Sequence, residues 1–310
     1  ELAISVGDQH VLADSELIWS ETLWHLGKYE EAEEHLQRAL ANTDSNQTPQ
    51  IELKYWHLSG NLSFVKGDFS AARGHFERAL EISRTHQYLP QQATCLNNLA
   101  ATCFHVAEYE SARLLHEQAL KINQEMGNQF GLALSLGNLA DIYLQKGNFA
   151  LAKANYLRSL DIRQKIGDAL GEAWLLHALG NLCQQDGALA EAKSYYEQSL
   201  QLRRQNQNPR EIAESLNSLG SMACLEKRYG DAAKYHREAL AIYDRLGDQF
   251  SLATTHFYMA QLAVAQLDWH TAQINNKKAY RLFCSIQHDK GQTECLALQE
   301  KLSLKSNMKS

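Results

Sequence analysis

Small and apolar residues return along this chain at helical spacing, and the whole arrangement returns every 40 residues. The stretch "KGDFSAARGHFERAL" (66–80) is followed by "AEYESARLLHEQAL" (107–120) and "KGNFALAKANYLRSL" (146–160). Each reads as a turn and then an amphipathic helix. The turn position falls at Gly27, Gly67, Ala107, Gly147, Gly187, Lys227 and Leu267, without an insertion. Two residues on stand Tyr29, Phe69, Tyr109, Phe149, Leu189, Tyr229 and Trp269. Every copy then has alanine: Ala32, Ala72, Ala112, Ala152, Ala192, Ala232 and Ala272. A second small row follows at Ala39, Ala79, Ala119, Ser159, Ser199, Ala239 and Ala279. Small residues held on one stripe of a helix predict close approach by a neighbouring helix, which a larger side chain would push away.

A second helix precedes each turn, as in "FGLALSLGNLADIYLQ" (130–145) and "LGEAWLLHALGNLCQQ" (170–185). It too carries a small row, at Ser20, Gly60, Ala100, Ala140, Gly180, Gly220 and Ala260. Each repeat is therefore predicted as helix A, a short turn and helix B. Gly67-Asp68 and Gly147-Asn148 offer a left-handed stop and then an N-cap. Gly127-Asn128, Gly167-Asp168 and Gly247-Asp248 do the same between repeats. Pro49, Pro90 and Pro209 sit only at the joints, where a first-turn proline is tolerated. The joint at 203–211, "RRQNQNPRE", lacks a glycine, and local looseness is expected there.

This pattern resembles the tetratricopeptide repeat family over nearly the whole chain. The 40-residue variety is similar to that of kinesin light chains, of the spindle-orientation adaptor with Leu-Gly-Asn repeats, and of the C-terminal arrays of bacterial signal-transduction (STAND-type) NTPases. The period exceeds the common 34-residue form by six residues, which are expected to lengthen helix B and the inter-repeat joint. The resemblance implies an all-α fold: a right-handed α-α superhelical solenoid of about seven helix pairs plus a C-terminal capping helix. The repeats are expected at about 9–48, 49–88, 89–128, 129–168, 169–208, 209–248 and 249–288, with the capping helix at 289–304 and a polar tail at 305–310. Residues 1–8 align in phase with 241–248, and are expected to end the helix B of a preceding repeat.

In such a solenoid, helices A line a concave face. The family's inward positions correspond here to Leu17, His57, Asn97, Gly137, His177, Asn217 and Phe257. One turn on come Glu21, Asn61, Ala101, Asp141, Asn181, Ser221 and Gln261, with Asn98 and Asn138 in the neighbouring row. Asparagine is a poor helix-interior residue, so its recurrence asks for a reason. An amide offers both a donor and an acceptor, and a ladder of them can hold an extended peptide by its backbone. The competing explanation is hydrogen bonding between helices. The expected groove residues are His57, Asn61, Asn97, Asn98, Asn138, Asp141, Trp174, His177, Asn181 and Asn217. One net hydrogen bond contributes about 0.5–1.5 kcal/mol, whereas a micromolar partner needs about 8 kcal/mol. Several repeats and apolar anchors must therefore act together, with Trp24, Phe64, Phe104, Trp174 and Phe257 as candidates.

Composition narrows the partners. A net charge of −6 argues against nucleic acid. No apolar run is long enough to span a membrane. The strip lacks the lysines and arginines that would clamp a carboxylate. The six cysteines form no CxxC pair and fall inside helical patterns, which suits reduced thiols in a cytoplasmic protein. No phosphate-binding loop, nucleophile elbow or metal-ligand motif occurs, so no catalytic role, cofactor or metal is expected. The acids Glu30, Glu31, Glu33 and Glu34 read as a solvated face. The expected function is a protein-interaction module that binds a peptide or helical segment in its groove. The alternative is a sensing or autoinhibitory arm of a STAND-type NTPase or other multidomain effector, with self-association as a further option.

Overall fold

The structure, a computed structural model, describes residues 9–41 and 49–307. The residues expected to end a preceding helix B, 1–8, lie outside the described residues, as does the joint at 42–48. The described residues form fifteen helices and no strand. They fall into two compact units that meet between Ile166 and Gly167 in sequence.

The first unit holds α1 (Gln9–His25), α2 (Tyr29–Ala41), α3 (Pro49–Val65), α4 (Phe69–Thr85), α5 (Leu89–His105), α6 (Tyr109–Glu125), α7 (Gln129–Gln145) and α8 (Phe149–Ile166). The second holds α9 (Ala169–Gln185), α10 (Leu189–Gln205), α11 (Pro209–Leu225), α12 (Tyr229–Leu246), α13 (Gln249–Ala265), α14 (Trp269–Ser285) and α15 (Asp289–Asn307). Odd-numbered helices are helices A and even-numbered ones helices B, with α15 the last described. Within each unit every helix packs on the next, and helices A of neighbouring repeats also touch, as α1 does α3 and α5 does α7. The fold is an all-α tetratricopeptide-type solenoid.

The repeat length has a simpler origin than expected. Both α3 and α4 have 17 residues, and each is followed by a turn of three. Neither helix B nor the joint is selectively lengthened, because the same stop is used after A and after B. A residue with positive φ stands every 20 positions from Gly67 to Gln287. Glycine fills six of these twelve positions, whereas Gln87, Ala107, Gln207, Lys227, Leu267 and Gln287 adopt the left-handed conformation without it. The next residue caps the following helix: Asp68 accepts the Ala71 N–H at 2.9 Å, and Asn128 the Gly131 N–H at 3.1 Å. The last helix differs from expectation too, since it continues past 304 to Asn307.

Close packing follows from the small rows. Ala32, Ala72, Ala112, Ala152, Ala192, Ala232 and Ala272 are all 0% exposed. Against the glycines of helices A lies a ring from helix B. A Cβ added to Gly60 would lie 2.4 Å from Phe76 Cε1, and one on Gly180 would lie 2.6 Å from Tyr196 Cδ1. The ring and the missing side chain share one space. Where serine replaces alanine in the second row, its hydroxyl donates to a backbone carbonyl of the partner helix: Ser159 to Ala133 at 2.6 Å, Ser199 to Ala173 at 2.8 Å.

The joint at 203–211 keeps the common turn, with Gln207 at positive φ and Asn208 capping Glu211. It also has its own fastener. Arg203, 1% exposed, donates to the Glu211 carbonyl and to Ser215 Oγ, both at 2.9 Å, and its Nη1 lies 3.0 Å from Glu214 Oε2. A buried guanidinium is stable only with such partners. The geometry of this segment matches the other joints instead of departing from them.

Candidate functional site

The expected groove residues separate into two groups. Asn97, His177 and Asn217 are each 7% exposed, and their polar atoms are used inside the protein. Asn97 Oδ1 accepts from His116 Nδ1 at 2.8 Å and from Ser135 Oγ at 3.2 Å. Asn217 accepts from His236 Nδ1 at 3.0 Å and donates to Thr255 Oγ1 at 2.7 Å. Burial, then Arg203, pushes His177 down to about 3. In this row the amides and imidazoles join helix A to helix B or to the next helix A. Asn181 and Asp141 accept from the hydroxyls of Tyr196 and Tyr156, respectively. Burial raises the Asp141 carboxyl to about 6, an effect the Tyr156 bond partly offsets. Trp174 is exposed on α9.

The expected aromatic anchors also have local employment. Phe64 meets Phe69 edge-on at 5.5 Å, and Phe104 meets Tyr109 in the same way at 5.5 Å. Trp24 packs against the core of the first repeat. These rings pack at the turns between A and B.

The second group is Asn61, Asn98 and Asn138, with His57, all on the A face of the first unit. Asn98 Nδ2 on α5 donates to His57 Nε2 at 3.0 Å and to Asn61 Oδ1 at 3.3 Å, both on α3. An amide nitrogen has no lone pair to give, so His57 must be neutral with its proton on Nδ1. Burial lowers the His57 pKa and favours that state, against a smaller opposing pull from Glu21. The donation leaves Asn98 Oδ1 and the Asn61 amide nitrogen without a partner among the described residues. Asn138, in phase with Asn98 one repeat on, makes no hydrogen bond to any described residue. All three side chains are half-buried, so water or a ligand can reach them.

His57 also lines a cavity of about 770 Å³ between α1, α3 and α5. Its walls are mixed: Ile51 and Val11 are apolar, Gln91 and Thr94 polar. Glu21 on α1 and Lys54 on α3 face each other across it at 3.2 Å. A ligand here meets apolar surface beside both hydrogen-bonding senses. Among the described residues, no group of three His, Cys, Asp or Glu side chains is placed to hold a metal ion, and no helix is long and apolar enough to cross a membrane.

The tetratricopeptide repeat profile matches residues 52–125, 131–205 and 211–285, and a second profile of the same repeat matches 20–41. The chain belongs to the tetratricopeptide repeat family. No curated sequence matches it. Among solved structures it is similar to a Rap protein complexed with Competence and Sporulation Factor, at 14% identity and TM-score 0.62, over 94% of this chain and 98% of that one. It is similar to the quorum sensor NprR of B. thuringiensis, at 14% identity and TM-score 0.64, over 94% and 88%. It is also similar to a signal-transduction ATPase with numerous domains (STAND) that has a tetratricopeptide repeat sensor, from Pyrococcus horikoshii. There the identity is 15% and the TM-score 0.71, over 91% of this chain and 44% of that one. Identities this low establish the shared fold.

Proposed function

We propose that the A face of the first unit binds an extended peptide segment of a protein partner, without catalysis. The observation that carries this reading is the unpaired acceptor on Asn98 beside the unpaired donor on Asn61, next to an open cavity. An extended peptide presents alternating N–H and C=O groups, and this pair matches one of each. Asn138 offers a further contact one repeat along. Three such bonds contribute about 1.5–4.5 kcal/mol in all, so an apolar side chain against Ile51 must add its share, about 1.5–3 kcal/mol. A complex between a solved neighbour and Competence and Sporulation Factor supports the use of this fold for recognition.

The test is selection of binders from a random peptide library, followed by fluorescence anisotropy. The best peptide should lose about 5- to 100-fold in affinity when Asn61 and Asn98 are changed to alanine. An unchanged Kd would reject this site.

A second reading has its own support. The match to the Pyrococcus STAND protein spans 91% of this chain but 44% of that one. Such a chain can act as the sensing arm of a larger effector. A phosphate-binding loop encoded upstream in the same gene would support that role, and an upstream sequence without one would count against it.

A further inference from the structure

The second unit has a cavity of its own, of about 640 Å³, between α13 and α15. Its floor is aromatic. Phe250 lies 6.1 Å from Phe283 and 5.0 Å from His288, centroid to centroid, and Phe283 lies 5.2 Å from His288. Phe283 is buried, whereas Phe250 is 48% exposed and presents its ring to the cavity. The His288 ring is fixed because its Nδ1 accepts the Gly291 N–H at 3.0 Å. Gly291 itself admits the aromatic floor: a Cβ there would lie 2.6 Å from Phe283.

Cations bracket this surface. Lys290 and Lys301 line the cavity, and neither pairs with a carboxylate of any described residue. They are eleven positions apart on α15, which places them about 16 Å apart along the helix. Glu294 lies between them and faces Tyr258, so the arrangement is positive at its ends and negative in its middle. On an extended chain, side chains four positions apart point the same way and stand about 13 Å apart, a span that two flexible lysine side chains can meet from about 16 Å.

We propose that this cavity is a second binding site, for an extended protein segment that carries an acidic residue, an aromatic residue two positions on, and another acidic residue two further. The aromatic side chain packs on Phe250. The two carboxylates reach Lys290 and Lys301. The spacing and the charge order distinguish this ligand from one held by backbone amides in the first unit, and the proposal stands without that reading.

The probe is a fluorescein-labelled peptide, Gly-Gly-Asp-Ser-Phe-Ser-Asp-Gly-Gly, titrated by anisotropy at low salt. Two companions replace both Asp by Lys, or Phe by Ser. Saturable binding of the first peptide is expected, with weaker binding of both companions. The doubly reversed variant Lys290→Glu, Lys301→Glu should weaken the acidic peptide about tenfold and strengthen the basic one. Phe250→Ala should weaken the acidic peptide, whereas Asn98→Ala in the first unit should leave it unchanged. A gain by the basic peptide cannot come from a misfolded variant. Equal binding of acidic and basic peptides, indifference to the charge reversal, or no binding at millimolar peptide would overturn the proposal.

Discussion

Asn98 donates its side-chain amide to His57 Nε2 at 3.0 Å, from one helix A to the helix A of the preceding repeat. The bond requires a neutral imidazole, and it leaves the Asn98 carbonyl oxygen without a partner among the described residues. Removing the donor withdraws a contact that favours the neutral ring and also wets it. Asn98→Ala should therefore raise the His57 pKa back toward the ordinary histidine value of about 6.5. Nitrogen-detected NMR of the ring follows this directly. A pKa indifferent to the substitution would mean that the bond does not form in solution.

The buried histidines predict how stability responds to acid. Burial pushes His116 and His236 down to about 4. Their folded-state values lie below the unfolded value of about 6.5, so the unfolded chain binds protons first as pH falls. Their contribution is complete above about pH 6.5 and is lost between there and pH 4. At pH 5 the loss is about 2 kcal/mol for each. Asp141 acts in the opposite sense. Its folded-state value is raised to about 6, so the stability it confers is present at low pH and is lost as pH rises through that value. The two histidines outweigh the one carboxyl, and Tm should fall between pH 7 and pH 5. The variant His116→Gln, His236→Gln should start lower at pH 7 and show a flatter slope. Parallel slopes would contradict this assignment.

Gly60 and Phe76 test the packing. Alanine at 60 would set its Cβ 2.4 Å from the Phe76 ring edge, and Phe76 is itself buried. Overpacking costs about 1–3 kcal/mol, against a helix-propensity gain of about 1 kcal/mol. Gly60→Ala should lower stability, and the pair Gly60→Ala, Phe76→Leu should recover part of the loss. In the first repeat Ser20 already faces a leucine, Leu36, in the corresponding places. Simple additivity in a double-mutant cycle would argue against the contact.

Leu267 offers a stabilising change. It sits at φ 61° and its side chain is 67% exposed. Glycine adopts that conformation without a Cβ penalty, so Leu267→Gly should raise stability by about 0.5–1.5 kcal/mol. Urea denaturation measures it. A loss of stability would mean that the leucine side chain makes contacts worth more than the backbone strain.

The fold was largely legible in the sequence because its spacing never slips. The alanine rows at 32 to 272 are the physical requirement for tight crossing, and they stand in every copy. The 20-residue period of the turns was hidden, since Gln87, Gln207 and Gln287 occupy left-handed positions where glycine is the residue one looks for. The site was only partly legible. Asn97 and Asn98 are neighbours in sequence but point about 100° apart on a helix. One joins His116 inside the repeat, and the other opens on the A face. Residue type and spacing nominate both. Knowing which one faces solvent needs the helix phase to within one residue. The charge pattern around Phe250 was missed for a related reason, because Lys290 and Lys301 come together with it only once α15 is seated against α13.

The most direct test of the central claim is the affinity of a selected peptide for the variant Asn61→Ala, Asn98→Ala, Asn138→Ala, measured beside its melting curve. These amides make few bonds within the protein, so Tm should change by no more than a few degrees. Affinity should fall about 10- to 100-fold or more. Unchanged affinity in a folded variant would contradict the account and place peptide recognition elsewhere on the protein.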